Sequence, residues 1–208
     1  MQDILRNMDE KKRDRIINSA IDEFSVYPFE KASTNNIVKN AGISKGLLFH
    51  YFGNKKELYE CVIGFVVNKL YNEITSKIDW NETCIFERIK QLVFCKLELS
   101  KVYPNMFDFM LKIFTNEHGG SINDAIELYK KYGVDIQGVL SKIYTHNIDF
   151  TKFKDQNSID KSINIVRWTI EKYTDEQIII CDGIQSIDFE KIVMDIDEYI
   201  YVLKKAIY

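Results

Sequence analysis

The stretch from Lys31 to Leu58, KASTNNIVKNAGISKGLLFHYFGNKKEL, holds the side chains of this chain that are best suited to binding a phosphate-rich partner. Lys55 can approach phosphate oxygens, whereas Lys45 and His50 are spaced so that they can form hydrogen bonds with base edges. Apolar and aromatic side chains stand between them, which is unusual on the surface of a helix. The residue types therefore predict a contact with nucleic acid.

Two short helices are needed to position these side chains. Ser33 is a suitable N-cap for the first helix, which runs to about Asn40. Gly42 can adopt a left-handed conformation without Cβ strain, so it suits the corner. Ser44 can cap the second helix, which runs from Lys45 to about Phe52. The spacing therefore predicts a helix-turn-helix.

The second helix, here called the reading helix, has two unequal faces. Leu48 and Phe52 lie one turn apart and can face a core, which leaves Leu47 and Phe49 turned outward. An outward apolar face is favourable if the helix lies in the major groove of DNA, where apolar atoms meet thymine methyl groups. The reading helix contains no arginine, so we expect readout by Lys45, by methyl contacts and by DNA shape rather than by bidentate recognition of guanine.

A third helix is expected directly after the reading helix. Gly53 ends the reading helix, and Asn54 followed three residues later by Glu57 resembles a capping box. Lys55 then lies beside the positive end of a helix, where it is expected to bind phosphate.

From Ala41 to Leu58 the sequence AGISKGLLFHYFGNKKEL resembles the TetR family of bacterial transcriptional repressors, whose DNA-reading segment has the form Ala-Gly-(Val/Ile)-Ser-x-Gly-x-(Leu/Ile)-Tyr-x-Tyr-Phe-x-x-Lys-x-x-Leu. Phe49 departs from that form, because the family usually has tyrosine there. The resemblance implies a homodimeric, ligand-responsive regulator that binds a palindromic operator in double-stranded DNA. The residues expected to contact DNA are Ser33, Thr34, Ser44, Lys45, Gly46, Leu47, Phe49, His50, Tyr51 and Lys55.

The charge of the chain is unevenly distributed. Its 208 residues carry a net charge of −3, with 28 basic against 31 acidic side chains. The residues up to Leu58 include 10 basic and 8 acidic ones, so this end is weakly positive and the remainder is negative. The asymmetry matches an end that meets phosphate and a larger part that does not.

The composition disfavours other kinds of site. The four cysteines, Cys61, Cys84, Cys95 and Cys181, are expected on apolar helix faces. With the three histidines they have the spacing of neither a disulfide framework nor a zinc site, so buried free thiols are expected. No apolar run is long enough to span a membrane and no secretory signal is recognisable, which predicts a cytoplasmic protein. No nucleophile elbow, glycine-rich phosphate loop or paired acid and base is recognisable, so neither catalysis nor a cofactor is expected.

Two prolines and nine glycines leave long uninterrupted segments, which predicts an all-α fold. The expected architecture is an N-terminal three-helix helix-turn-helix DNA-binding domain, residues 1–58, joined by a long helix to a C-terminal helical domain for ligand binding and dimerisation, residues 59–208. Asp9 to about Val26 forms the support helix of the first domain. The long helix starts after Asn54 and continues for about 25 residues, roughly 35 Å.

The segment PNMFDFMLKIF, which starts at Pro104, is apolar almost all round. Taken alone, these residues favour a helix that is buried in the core. Adaptable methionines and flat aromatic rings also suit a pocket for a small apolar or aromatic ligand. The resemblance implies that the larger domain senses a small molecule, which favours the pocket. The candidate effector-binding residues are Tyr103, Met106, Phe109, Met110, Phe114, Tyr129 and Trp168.

The last two helices have coiled-coil periodicity. Each also has a second apolar strip, which includes Trp168 on one helix and Ile200 on the other, so one strip can pack on the body while the other meets a partner. Two copies would then form a four-helix interface, which is the dimer that the resemblance implies. The residues assigned to dimerisation are Ile163, Val166, Ile170, Tyr173, Ile192, Ile196, Tyr199 and Leu203.

Two other functions stay open at this point. One is a helical interaction protein whose helix-turn-helix no longer binds DNA, and the more remote one is a small helical enzyme. Titration in rising salt distinguishes the first from a DNA binder, whose affinity falls linearly on logarithmic axes.

Overall fold

The residues that the structure describes are mainly helical, as the scarcity of proline and glycine in the chain predicts. The computed structural model describes residues 8–114, 130, 136–180 and 186–208. These residues contain α-helices, a 3₁₀ helix at Phe150–Lys152 and no strand, which confirms the all-α fold. The α-helices are α1 (Glu10–Val26), α2 (Thr34–Ala41), α3 (Lys45–Phe52), α4 (Lys55–Lys77), α5 (Ile85–Val102), α6 (Pro104–Phe114), α7 (Ile136–Thr145), α8 (Ile159–Ile180) and α9 (Phe189–Ile207).

The chain divides into two compact units, which are described separately. The first unit comprises Met1–Leu70 and Asn105–Val134, and the second comprises Tyr71–Pro104 and Asp135–Tyr208. The helix α4 contributes its residues up to Leu70 to the first unit and the rest to the second. The functional boundary expected after residue 58 stays a prediction.

The core of the first unit is formed by α1, α2, α3 and the beginning of α4. The helix α1 lays its apolar stripe on α2, and α2 packs on α3. A fully buried isoleucine, leucine, valine or phenylalanine side chain contributes about 1.5–3 kcal/mol through the removal of apolar surface from water. The side chains of these helices with at most 2% exposure include Ile16, Ile17, Ala20, Ile21, Phe24, Ile37, Ala41, Leu48, Phe52, Leu58, Val62, Ile63 and Val66.

The helix α6 also belongs to the first unit. Its Phe109 is 0% exposed, and the centroid of its ring lies 6.2 Å from that of Phe24 and 5.6 Å from that of Tyr59. Both distances suit favourable aromatic pairs. The apolar segment that starts at Pro104 therefore supplies part of the core next to α1.

Two polar contacts also join α6 to α1. Asn105 donates from Nδ2 to Asp22 Oδ1 at 2.6 Å, and Lys112 donates from Nζ to the backbone carbonyl of Val26 at 3.1 Å. The carbonyls at the end of a helix lack partners within the helix, and a cation near them is favourable. Lys112 thus stabilises the C-terminal end of α1.

The helix α5 is the centre of the second unit, and α7, α8 and α9 all pack on it. Lys204 of α9 pairs with Glu87 of α5 at 2.7 Å. On α8, Tyr173 donates its hydroxyl to Asp195 of α9. The second unit therefore combines an apolar core with polar contacts that fix how α9 lies on its neighbours.

The buried side chain of Arg88 binds two connecting segments near the start of α5, the one between α4 and α5 and the one that follows α7. Arg88 is 0% exposed, and its Nη2 donates to the carbonyls of Trp80, at 3.2 Å, and Glu82. Its Nη1 donates to the carbonyl of His146 at 3.5 Å. Burial lowers the pKa of the Arg88 guanidinium from its ordinary value. A buried charge is costly unless it has hydrogen-bond partners, and the backbone carbonyls of the two connections supply them to the guanidinium.

Replacement of Arg88 tests this arrangement. We expect Arg88→Ala to lower the free energy of unfolding by about 3 kcal/mol, because it leaves a cavity and removes the side-chain donor from the carbonyls of Glu82 and His146, while the carbonyl of Trp80 keeps its bond from Asn147. Urea denaturation followed by circular dichroism measures the change. Lys172→Ala is the control in the same unit, since that side chain is 68% exposed and its pair with Glu176 is worth less than about 0.5 kcal/mol. Equal midpoints for the two variants would show that Arg88 does not hold the connections.

Candidate nucleic-acid interface

The corner between α2 and α3 is built around Gly42. Its φ of 66° lies in the left-handed region, which favours glycine. Its N–H donates to the carbonyl of Lys39 at 3.3 Å, and the N–H of Ile43 donates to the carbonyl of Val38 at 3.0 Å. Together these bonds satisfy carbonyls at the end of α2 and confirm the predicted glycine corner.

Hydroxyl groups begin both helices, as the sequence predicts. Ser33 Oγ accepts from the N–H of Asn36 at 3.4 Å, and Ser44 Oγ accepts from the N–H of Leu47 at 3.2 Å. Thr34 follows Ser33 as the first residue of α2 and is partly exposed. The caps give α3 the predicted bounds, from Lys45 to Phe52.

The helix α3 directs one face into the core and the other towards solvent. Leu48 and Phe52 are 0% and 2% exposed, as expected for the inward face. On the outer face the ammonium of Lys45 lies 5.9 Å from the centroid of the Phe49 ring, within the range of a cation–π contact. The outer face therefore combines positive charge with apolar surface. Its exposed or partly exposed residues are Lys45, Gly46, Leu47, Phe49, His50 and Tyr51.

Asn54 begins α4 in the way that the sequence predicts, with one difference. Its Oδ1 accepts from the N–H of Glu57 at 3.0 Å, and its Nδ2 donates to Glu57 Oε1 at 2.7 Å. In the expected capping box Glu57 binds the backbone N–H of Asn54. That N–H instead donates to the carbonyl of Phe52 at 2.7 Å, so the Glu57 carboxylate binds the side-chain amide.

Lys55 lies at the start of α4 but is not extended freely into solvent. Its Nζ donates to the backbone carbonyl of Glu30 at 3.3 Å and lies 4.8 Å from the centroid of the Phe29 ring. An ammonium group has three donors, so the hydrogen bond leaves two for a phosphate. The phosphate contact of Lys55 stays a prediction, with its stem now fixed by the turn that precedes α2.

The effector candidates lie in both units. Phe109 is part of the core of the first unit, whereas Trp168 is 59% exposed on α8 of the second. Their role in binding an effector stays a prediction. Of the remaining candidates, Tyr103, Met106 and Met110 are partly exposed, and Tyr129 and the side chain of Phe114 lie outside the described residues.

The periodic positions of α8 and α9 pack mainly inside the protomer. Five residues assigned to dimerisation are at most 7% exposed, namely Ile163, Val166, Ile170, Ile192 and Ile196. Tyr199 is 41% exposed, and Tyr173 and Leu203 are partly exposed. Of the second apolar strip, Trp168 is exposed as expected, whereas Ile200 is only 5% exposed and packs inside the protomer. Both helices also expose further apolar side chains outside the heptad positions. These further residues are Ile165, Met194, Tyr201 and Val202.

The described thiols are not arranged as a metal site. Cys61 is 3% exposed, and burial raises the pKa of its thiol to about 12 because an apolar environment disfavours the thiolate. Cys95 is buried, but Cys84 is partly exposed at the N-cap of α5 rather than on an apolar helix face. Cys181 lies outside the described residues. Within the described ranges no group of three His, Cys, Asp or Glu residues is placed to hold a metal ion.

A helix that crosses a bilayer must be both long and apolar. In the part of the chain that the structure describes, no helix combines the length and the apolar character that crossing a bilayer requires.

Residues 16–62 match the sequence model of a family described as "Bacterial regulatory proteins, tetR family". These residues run from the buried face of α1, through α2 and α3, to the first turns of α4. The match therefore covers the helices that build the candidate interface.

Two relatives have regulatory functions in their names. The chain is 30% identical over 93 residues to the HTH-type transcriptional regulator RutR of Escherichia coli (strain K12), which covers 45% of this chain and 43% of RutR. It is 25% identical over 150 residues to the biofilm operon icaADBC HTH-type negative transcriptional regulator IcaR of Staphylococcus aureus (strain Newman), which covers 71% of this chain and 72% of IcaR. The similarity to RutR thus spans less than half the length of that relative.

The fold as a whole is similar to a solved structure. A TetR family transcriptional regulator from Chloroflexus aurantiacus J-10-FL matches with a TM-score of 0.64 and 18% identity, over 98% of this chain and 96% of that chain. Identity at this level supports a shared fold.

Gly46 inside the reading helix and Gly53 at its C-terminal end are expected to respond in opposite ways to substitution by alanine. Gly53 has φ 69° and ψ −66°, and a Cβ there would lie 2.8 Å from Glu57 Oε2, so we expect Gly53→Ala to cost about 1–3 kcal/mol of unfolding free energy. Gly46 lies inside α3 with no heavy atom within 4 Å of a Cβ position, so Gly46→Ala should raise stability by about 0.5–1 kcal/mol. Thermal unfolding of both variants measures the difference, and equal shifts would contradict the strain assigned to Gly53.

Proposed function

Since the chain belongs to the TetR family of bacterial regulatory proteins, we propose that it is a transcriptional repressor. It acts in the bacterial cytoplasm as a homodimer, binds a palindromic operator in double-stranded DNA, and is released by a small apolar or aromatic effector. The relatives are transcriptional regulators, which supports regulation rather than catalysis.

The outer face of α3 is the observation that carries this proposal. A helix exposed to water alone gains nothing from Leu47 and Phe49 on its surface, whereas in a major groove such side chains meet thymine methyl groups and the sugar edges. Lys45 lies at the N-terminal end of the same face, where it can reach a base edge or a phosphate. The absence of arginine from α3 leaves methyl contacts and DNA shape as the main sources of specificity.

Gly46 supports the same orientation of α3. The protein itself has room for a side chain at this position, and glycine is unfavourable in the interior of a helix. Glycine there leaves space for the DNA backbone to approach α3 closely, which fits the proposed orientation.

The exposed apolar strips of α8 and α9 form the dimer surface. Trp168 is 59% exposed and Val202 is 63% exposed, and neither has a place in the core of the protomer. A symmetric pair of such surfaces buries both at once. The half-exposed Tyr199 extends this surface on α9. Each α3 of the dimer then enters a major groove about 34–36 Å, or a multiple of that distance, from its twin.

The effector acts by preferring one geometry of the dimer. A ligand that binds more tightly to the geometry that does not fit the operator weakens DNA binding by that difference in affinity. Partly exposed Met106 and Met110 give α6 an adaptable apolar surface for a small apolar or aromatic molecule.

DNA binding is tested with a duplex selected by the wild-type protein from a random-sequence library. In mobility-shift titrations at several salt concentrations we expect a linear loss of affinity on logarithmic axes. Lys45→Ala should weaken binding to the selected duplex by about tenfold, and Lys55→Ala should weaken binding to all duplexes and lower the salt slope by about one. Lys152→Ala, which removes the same charge from an exposed position of the second unit, is the control.

These titrations test both the proposed function and the role of α3 as the reading helix. Wild-type protein that selects no sequence and shows no salt dependence would rule out the proposed function. Selection by the wild type together with unchanged affinity in Lys45→Ala and Gly46→Ala would rule out α3 as the reading helix.

The dimer surface is tested by two valines of equal exposure. Val202 on α9 and Val102 at the end of α5 are each 63% exposed, so glutamate at either position leaves the core intact. We expect Val202→Glu to raise the dimer dissociation constant by at least about tenfold, because a carboxylate would lose water at the interface. Sedimentation velocity over a range of concentrations measures it. Equal dissociation constants for Val202→Glu and Val102→Glu would remove the α9 strip from the interface.

A further inference from the structure

A buried carboxylate connects α1 to the start of α2. Glu23 is 7% exposed although it carries a charge, and it lies on α1 next to Phe24 of the core. Its Oε1 accepts from the backbone N–H of Ser33 at 2.7 Å. The side-chain amide of Asn36 donates to both of its oxygens, at 3.4 and 3.2 Å. Both partners belong to the first turn of α2 or its cap.

The energetics of burial indicate that this contact is specific. A buried carboxylate is costly unless it is paired with a cation or well supplied with hydrogen bonds. None of the described lysines or arginines forms an ion pair with Glu23. The N-terminal end of α2, with its unpaired N–H groups and partial positive charge, compensates the carboxylate instead.

We propose that Glu23 is a positioning residue for DNA binding, which fixes the orientation of α2 and, through it, of the reading helix α3. The inference rests on the proposed function. The turn from Tyr27 to Ala32 joins α1 to α2, and the bond from Ser33 to Glu23 closes that turn ten residues after the carboxylate. Apolar packing of α1 on α2 changes little when α2 rotates by a small angle. The 2.7 Å hydrogen bond from Ser33, the N-cap of α2, to Glu23 is directional and opposes such a rotation.

The hydrogen bond from Ser33 to Glu23 also limits how Ser33 can bind a DNA phosphate. Its N–H donates to Glu23 and its Oγ accepts from Asn36, so only its hydroxyl proton is free for a phosphate oxygen. Thr34, the first residue of α2, is therefore the better phosphate donor of the two residues.

The test uses full-length Glu23→Ala, Glu23→Gln and Glu30→Ala with the selected duplex. Glu23→Ala should bind it about tenfold more weakly, because α2 loses charge-assisted bonds that hold its first turn. Glu23→Gln keeps an oxygen for the N–H of Ser33, and the Asn36 side chain can turn so that its Oδ1 accepts from the new amide, so the affinity should stay within about twofold of wild type. Glu30→Ala removes an exposed carboxylate nearby and controls for net charge.

Amide hydrogen exchange separates positioning from general stability. In Glu23→Ala the Ser33 amide should exchange at least about tenfold faster than in wild type, while the amides of Leu48 and Phe52 in the core keep their rates. If Glu23→Ala does not fold, Asn36→Ala replaces it, since Asn36 is exposed and only one side of the contact is lost. The expected changes are then about threefold in affinity and in Ser33 exchange.

Each result decides the inference. Weak binding and fast Ser33 exchange in the alanine variant, both restored by glutamine, support it. Wild-type affinity in the folded alanine variant, unchanged Ser33 exchange, or glutamine as weak as alanine would overturn it. A wild-type protein that binds no duplex would instead refute the proposed function, while Ser33 exchange would still report whether Glu23 orders α2.

Discussion

Neither α2 nor α3 is long enough to be stable alone. Each has eight residues, and isolated helices shorter than about 12–15 residues are marginal in water. The first unit stabilises them by burial, with Ile37 and Leu48 both 0% exposed, and by the hydroxyl caps of Ser33 and Ser44. The outer face of α3 is available to a partner only because its inner face is anchored in this core.

Burial and hydrogen bonding contribute differently to that anchoring. Apolar contacts supply most of the free energy but little direction, since the hydrophobic effect depends on area. Directional bonds fix the details, such as the corner at Gly42 and the carboxylate of Glu23 at the N–H of Ser33. A DNA reader needs both, because base edges are recognised by hydrogen bonds that tolerate only small errors in position.

The parts of the fold that follow local rules were predictable from the sequence. The caps at Ser33 and Ser44 act three residues along the chain, and the left-handed glycine at position 42 follows from the same short-range chemistry. Contacts between distant residues carry no such signal. Arg88 binds the carbonyl of His146, 58 residues away, and neither its burial nor its partner is visible in a periodic pattern.

The same limit applies to the C-terminal helices. A heptad pattern identifies an apolar strip but does not say whether the strip meets its own chain or another one. In α8 and α9 the periodic positions such as Val166 and Ile196 fill the protomer's core, whereas Trp168 and Val202 remain exposed. The packing of the protomer is therefore what separates core positions from candidates for an interface, whereas the sequence indicates the two helices and, in Trp168, one exposed residue of the second strip.

Three consecutive residues of α1 connect α6, which carries effector candidates, to the start of α2 within the first unit. Asp22 binds Asn105 of α6, Phe24 packs on Phe109 of α6, and Glu23 between them holds the first turn of α2. Successive side chains on a helix point about 100° apart, so one short segment of α1 can contact α6 and α2 at once. Under the proposed function, a ligand that favours a shifted α6 displaces α1 at the residues that orient α2. The free energy available for releasing DNA is then limited by the ligand's preference for that shift, and no unfolding of the reading helix is required.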